Sequence, residues 1–214
     1  MSNEQKRQDR NHNKQKYQFN IEPQAKFNIV FVTLMGSSGT LAAVAYPVNS
    51  VPILIGSMVI APVMPPLVLT SIGLANANFS SALKGLAIAV AGLTIAFACA
   101  VVTTWLLNAT GVSTAQAKTS QLLIERVNPG WYSVVAAFAA GIAGALAVSH
   151  QKQDTLVGVV ASIALVPTVA AAGISALSRD WKSVTGGLLM LLLNICMIVF
   201  MGWLVFNFFS RKGE

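Results

Sequence analysis

Polar and apolar positions alternate on a coarse scale along this chain, with short charged clusters separating long apolar blocks. Residues 27–83 carry no charged side chain, and neither do 85–117, 127–149, 155–178 and 183–210. Apolar stretches beyond about 18 residues read as membrane spans, whereas a helix of a soluble protein needs a polar face toward water. The pattern predicts an all-α membrane protein with six transmembrane helices. They cover Phe27–Tyr46, Val51–Ala75, Ser81–Asn108, Trp131–Ser149, Thr155–Leu177 and Thr185–Phe209. Residues 1–26 form a polar, disordered cytoplasmic tail and 210–214 a short second one. Residues 109–130 form an extracytoplasmic linker with a short surface helix, ended by the turn Asn128-Pro129-Gly130.

The chain also repeats itself. Moved forward by 102 positions, "LIGSMVIAPVMPPLVLTSIGLANANFSSALKGL" lies over "LVGVVASIALVPTVAAAGISALSRDWKSVTGGL", so that Pro65 meets Pro167, Gly85 meets Gly187 and Ser81 meets Ser183. The first spans of each half align with a slightly larger shift, "GSSGTLA" over "GIAGALA". Residues 27–108 and 131–209 are therefore read as two repeats of three spans. An odd number of spans turns the second copy over in the membrane, giving two inverted three-helix repeats of the kind found in many transporters.

Composition agrees: 55% of the 214 residues are hydrophobic and 10% charged, against about 25% charged in an ordinary soluble domain. The net charge of +7 does not point to nucleic acid, because six of the fourteen basic residues crowd into the first 26 positions beside the first span. That is the distribution of a topology signal. With the N-terminus inside, ten Lys and Arg lie on the cytoplasmic side and Lys118, Arg126, Arg179 and Lys182 lie outside, which places both termini in the cytoplasm. The expected location is the bacterial cytoplasmic (inner) membrane, with no signal peptide. Cys99 and Cys196 sit in apolar runs and read as inert small hydrophobes; no metal site and no cofactor is expected.

The stretch "GSMVIAPVMPPLVL" places Pro62, Pro65 and Pro66 inside the second span. Each proline lacks the amide that would bond the carbonyl four residues earlier, which frees the carbonyls of Met58, Ala61 and Pro62. Pro167 is expected to break the fifth span in the same way. Paired interruptions in two inverted halves point to a binding site near the bilayer midplane, although proline kinks satisfied by neighbouring helices give the same pattern. The candidate ligand-binding residues are Gly56, Ser57, Pro62, Pro65 and Pro66 in the first half, and Gly158, Ser162, Pro167, Thr168 and Asn194 in the second. Asn194 is costly to bury and needs a partner, whether a neighbouring helix or a ligand.

With "ERVNPGWYSVVAAFAAGIAGALA" and Asn194 added, these segments resemble the domain of unknown function 389 family, multi-pass membrane proteins of bacteria and archaea. The resemblance covers residues 27–205 and implies the fold more than any activity. The family pattern usually has Gly at Pro65 and a second Pro at Thr168, and many relatives carry a soluble domain where this chain has its polar tail.

No charged group lies in the bilayer to couple protons, no P-loop is present, and no nucleophile and base fall together, so no enzyme is expected. Two functions remain open. One is a transporter or channel-like protein for a small solute or ion, bound at the paired breaks; the other is a non-transporting sensor, scaffold or subunit. Expected partners are the lipid bilayer, the small solute or ion and other copies of the chain in a homo-oligomer; no nucleic acid is expected.

Overall fold

The computed structural model describes residues 25–111, 117, 119–128, 130–149 and 156–209. Among the described residues there is no strand. The principal helices are α1 (Ile29–Ala45), α2 (Val51–Ile60), α3 (Met64–Ala75), α4 (Phe79–Ala109), α5 (Gln121–Val127), α6 (Trp131–Ser149), α7 (Leu156–Leu177) and α8 (Trp181–Phe209).

Local chemistry sets the boundaries. Asn28 caps α1 by accepting the Phe31 amide at 2.8 Å, and Ser50 caps α2, which has a proline in its first turn. Such caps satisfy donors that a helix start leaves open. At the other end of α2, Pro62 disfavours helical backbone at the residue before it, and Ala61 is extended (φ −72°, ψ 115°). The chain resumes as α3 bent 52° from α2. Pro65 and Pro66 fall in the first turn of α3, where a missing amide costs no helical bond.

The helices α4 and α8 are long and apolar enough to cross a membrane, and the bent pair α2 and α3 makes a third candidate span. The outward faces of the helices are apolar: Phe79 is 73% exposed, Trp131 79% and Trp181 67%, with Leu83, Trp105 and Leu192 also exposed. So much exposed apolar surface marks a face meant for lipid. The core lies between the helices, built on Met35, Leu67, Ile72, Leu165, Ile174 and Ile198.

In this core α4 packs on α1 and α3, α8 packs on α6 and α7, and each also crosses to the other group, α4 to α7 and α8 to α3. Several positions 102 residues apart make matching contacts. The turn Asn76-Ala77-Asn78 and the turn Ser178-Arg179-Asp180 close with matching bonds, Asn76 N–H to Ile72 O (2.9 Å) and Ser178 N–H to Ile174 O (3.1 Å). Their middle residues share left-handed backbone, Ala77 at φ 53° and Arg179 at φ 56°. Asn78 then accepts the Ser81 amide and Asp180 the Ser183 amide, each capping the long helix that follows. Helix packing repeats as well: Gly85 lies against Pro66 and Thr70, and Gly187 against Thr168 and Ala172.

The expected break of the fifth span is not there. The helix α7 runs from Leu156 to Leu177 with Pro167 inside it. A single proline removes one helical bond and a neighbouring helix can make good the loss. Three prolines within five residues remove three, and α2 and α3 separate.

Candidate functional site

The site is the three-residue link Ala61-Pro62-Val63 and the helix ends on either side. It is closed in on one side, where Met58, Ala61, Val63 and Met64 are each less than 5% exposed, while Ile60 and Pro62 are half-buried and Val59 is exposed. An ordinary α-helix end leaves its last four carbonyls without helical partners, and an ordinary start leaves its first amides open. Here the prolines make the two sides unequal. The carbonyls of Met58, Val59, Ile60, Ala61 and Pro62 have no helical amide to accept. On the other side Pro65 and Pro66 have no amide to give, and Leu67 begins the helical ladder back to Val63. The amides near Leu67–Val68 are therefore inside the helix and not open, as a break one turn later would have left them.

Several hydroxyl groups on α1 to α3 give their protons to backbone carbonyls. Ser38 on α1 donates to the Ser57 carbonyl at 2.6 Å. Ser57, fully buried, donates to Leu54 O at 2.6 Å. Thr70 donates to Pro66 O and Ser71 to Leu67 O, at 2.9 and 3.0 Å. Tyr46, also fully buried, reaches from the end of α1 to the carbonyl of Pro167 at 2.6 Å. A buried tyrosine hydroxyl needs such a partner. This bond ties the end of α1 to α7.

Of the candidates drawn from sequence, Ser57, Pro62, Pro65 and Pro66 are gathered at the link. Gly56 is on α2, but a side chain added there would meet nothing within 4 Å, so it is not a close-approach position. Pro167 lies within α7, its carbonyl bonded by Tyr46 at the end of α1. Thr168 and Asn194 are buried, on α7 and α8, and both already have partners. Gly158 and Ser162 lie on α7, with side chains outside the described residues. Tyr46 and Ser38 were not among the candidates. The available signal was a tyrosine beside Pro47 at a span end and a hydroxyl in "GSSGT" facing the next span.

Two grooves lie away from the link. One of 870 Å³ runs between α3, α4 and α8, lined by Phe79, Leu83, Ile195, Val199, Phe200 and Trp203 among others. A smaller one of 270 Å³ is lined by Val90, Leu93, Phe97, Val184 and Leu188. Ala82, Leu86, Ile195 and Val199 in the first correspond, 102 positions apart, to Val184, Leu188, Leu93 and Phe97 in the second. Both are carbon-lined and open on the apolar exterior, which suits acyl chains better than a polar solute. Among the described residues no three His, Cys, Asp or Glu side chains gather to hold a metal ion.

An all-helical membrane protein in which two apolar helices meet at a sharply bent, proline-rich link is the class these features define. Residues 58–200 match the family described as Domain of unknown function (DUF389), and the chain belongs to that family. No curated protein and no solved structure matches it.

Proposed function

We propose that the chain is a transporter or channel-like protein of the cytoplasmic membrane, binding a small solute or ion at the break in its second span. One observation carries this reading: the backbone is unwound at Ala61-Pro62-Val63 inside the packed core, between two half-helices of one span. Irregular backbone at membrane depth is tolerated where it is buried in protein or lines a cavity, and discontinuous helices of this kind form transporter sites. The site is one break facing a continuous, proline-containing helix, in place of the two equivalent breaks expected from sequence.

Six spans in two inverted repeats fit the packing. The pair α1 and α4 has its counterpart in α6 and α8, α3 and α4 in α7 and α8, and the crossing of α4 to α7 in that of α8 to α3. Three spans per copy put the second copy in the opposite sense. With both termini cytoplasmic, Trp105, Trp131 and Trp181 fall at the outer boundary and Phe79 and Trp203 at the inner one, the arrangement of interfacial aromatic belts. Tags at both ends should react only after cells are permeabilised; a tag at the C-terminus that reacts in whole cells removes the topology.

The functional test is flux. Purified protein in proteoliposomes should carry a solute or ion across the bilayer at a rate that saturates with concentration, while empty liposomes do not. Saturable binding without flux selects the sensor reading instead. No catalytic function is proposed.

A further inference from the structure

We infer that the break takes a monovalent metal cation such as Na⁺ or K⁺, an inference that rests on the proposed site and names its ligand class. Donors and acceptors at the link are out of balance. Five consecutive carbonyls, Met58 to Pro62, lack helical partners, while only the amides of Val63 and Met64 are left open on the α3 side. No side chain of the described residues donates to the carbonyls of Met58, Ala61 or Pro62. The hydroxyls of Ser38 and Ser57 cannot redress this, because both have already given their protons to other carbonyls. What they still offer is lone pairs.

A site rich in acceptors and poor in donors repels an anion and attracts a cation. The C-terminal end of α2 adds to this, since its dipole presents partial negative charge to the link. Unwound carbonyls and half-helix C-termini are the groups that coordinate small cations in broken-helix proteins. The α3 start, which would otherwise draw an anion, has lost two of its first three amides to Pro65 and Pro66.

The charge of the cation follows from the absence of charged ligands. Sites for Ca²⁺ and Mg²⁺ rely on carboxylates, and residues 27–83 contain none. A doubly charged ion held by neutral carbonyls alone in a buried setting would leave most of its desolvation cost unmet. A single charge shared over several carbonyl dipoles is the better match, as in carbonyl-lined ion pathways.

The test uses the purified full chain, with NaCl, KCl and choline chloride compared at one ionic strength. Sodium or potassium should raise the melting temperature by roughly 5 °C in a saturable way and choline should not, because ligands that bind only the folded state stabilise by mass action. Choline phosphate should give no such shift. Pro62→Ala returns an amide to the Met58 carbonyl and lets Ala61 rejoin the helix, so a folded variant should bind the cation at least tenfold more weakly. Pro52→Ala, at the exposed start of α2, should leave the shift unchanged.

Equal response to sodium, potassium and choline overturns the inference, as does a full response in folded Pro62→Ala. A shift with phosphate alone that is lost in Pro62→Ala also overturns it, yet leaves the break standing as a binding site. Should Pro62→Ala fail to fold, equilibrium dialysis of the unaltered protein with radioactive sodium and rubidium decides. One ion bound per chain is expected, and none overturns the inference.

Discussion

Gly39→Ala should destabilise the protein by about 3 kcal/mol or more, the upper end of the range for overpacking a well-packed interior. A Cβ at Gly39 would overlap the carbonyl oxygen, carbonyl carbon and Cα of Ala96 on α4. All three are backbone atoms, so no side-chain rotation relieves the clash and α1 must move away from α4. Gly141 on α6 repeats the arrangement: an added Cβ would lie 2.6 Å from the Met201 Cβ and 3.1 Å from backbone atoms of Ile198 on α8. Gly56→Ala is the contrast. With nothing within 4 Å, it should be neutral or gain the roughly 0.5–1 kcal/mol by which alanine exceeds glycine inside a helix. Thermal unfolding in detergent, with a size-exclusion profile for each variant, checks the three. A Gly39→Ala protein as stable as the parent would mean that α1 does not approach α4 in this way.

Tyr46 should show the second large effect, in two separable parts. Tyr46→Phe keeps the ring and removes the hydroxyl that donates to Pro167 O, costing about 1–3 kcal/mol for a buried acceptor left unpaired. Tyr46→Ala also removes the ring from a fully buried position, and the cavity brings the loss to roughly 3–5 kcal/mol. Unfolding measurements on both variants resolve the two contributions. A Tyr46→Phe variant with unchanged stability would show that the bond to Pro167 contributes nothing.

The helices were legible in the sequence because charge gaps mark them directly. Val51 and Ala75, the limits expected for the second span, are the outer ends of α2 and α3. The break was legible as well, since three prolines in five residues leave a helix no way through. The fate of Pro167 was not. Local chemistry is the same for every proline, and whether a helix continues depends on what neighbouring helices supply. With Thr168 in place of a second proline, the fifth span loses one bond and stays helical.

The bonds that organise the site were equally out of reach. Tyr46 and Pro167 are 121 positions apart, and no periodicity relates them. Ser38 and Ser57 lie nearer in sequence, but only the crossing of α1 over α2 makes a carbonyl the partner of the Ser38 hydroxyl. The sequence offered matched glycines and prolines, and the turns add a further likeness that no residue pattern announced. A left-handed residue, a capping side chain and three backbone bonds recur there 102 positions apart.

The central claim is that the break at Ala61-Pro62-Val63, closed in this conformation, binds a small solute or ion and opens to water in the working cycle. Chemical access to Val63 tests it most directly. In a background lacking Cys99 and Cys196, Val63→Cys should react with a small, membrane-impermeant thiol reagent, and saturating concentrations of the bound solute or ion should slow that reaction. Val90→Cys, on the exposed apolar face of α4, should stay unreactive because lipid covers it. A Val63→Cys protein that folds and yet is as inert as Val90→Cys, from either side of the membrane, would contradict the claim.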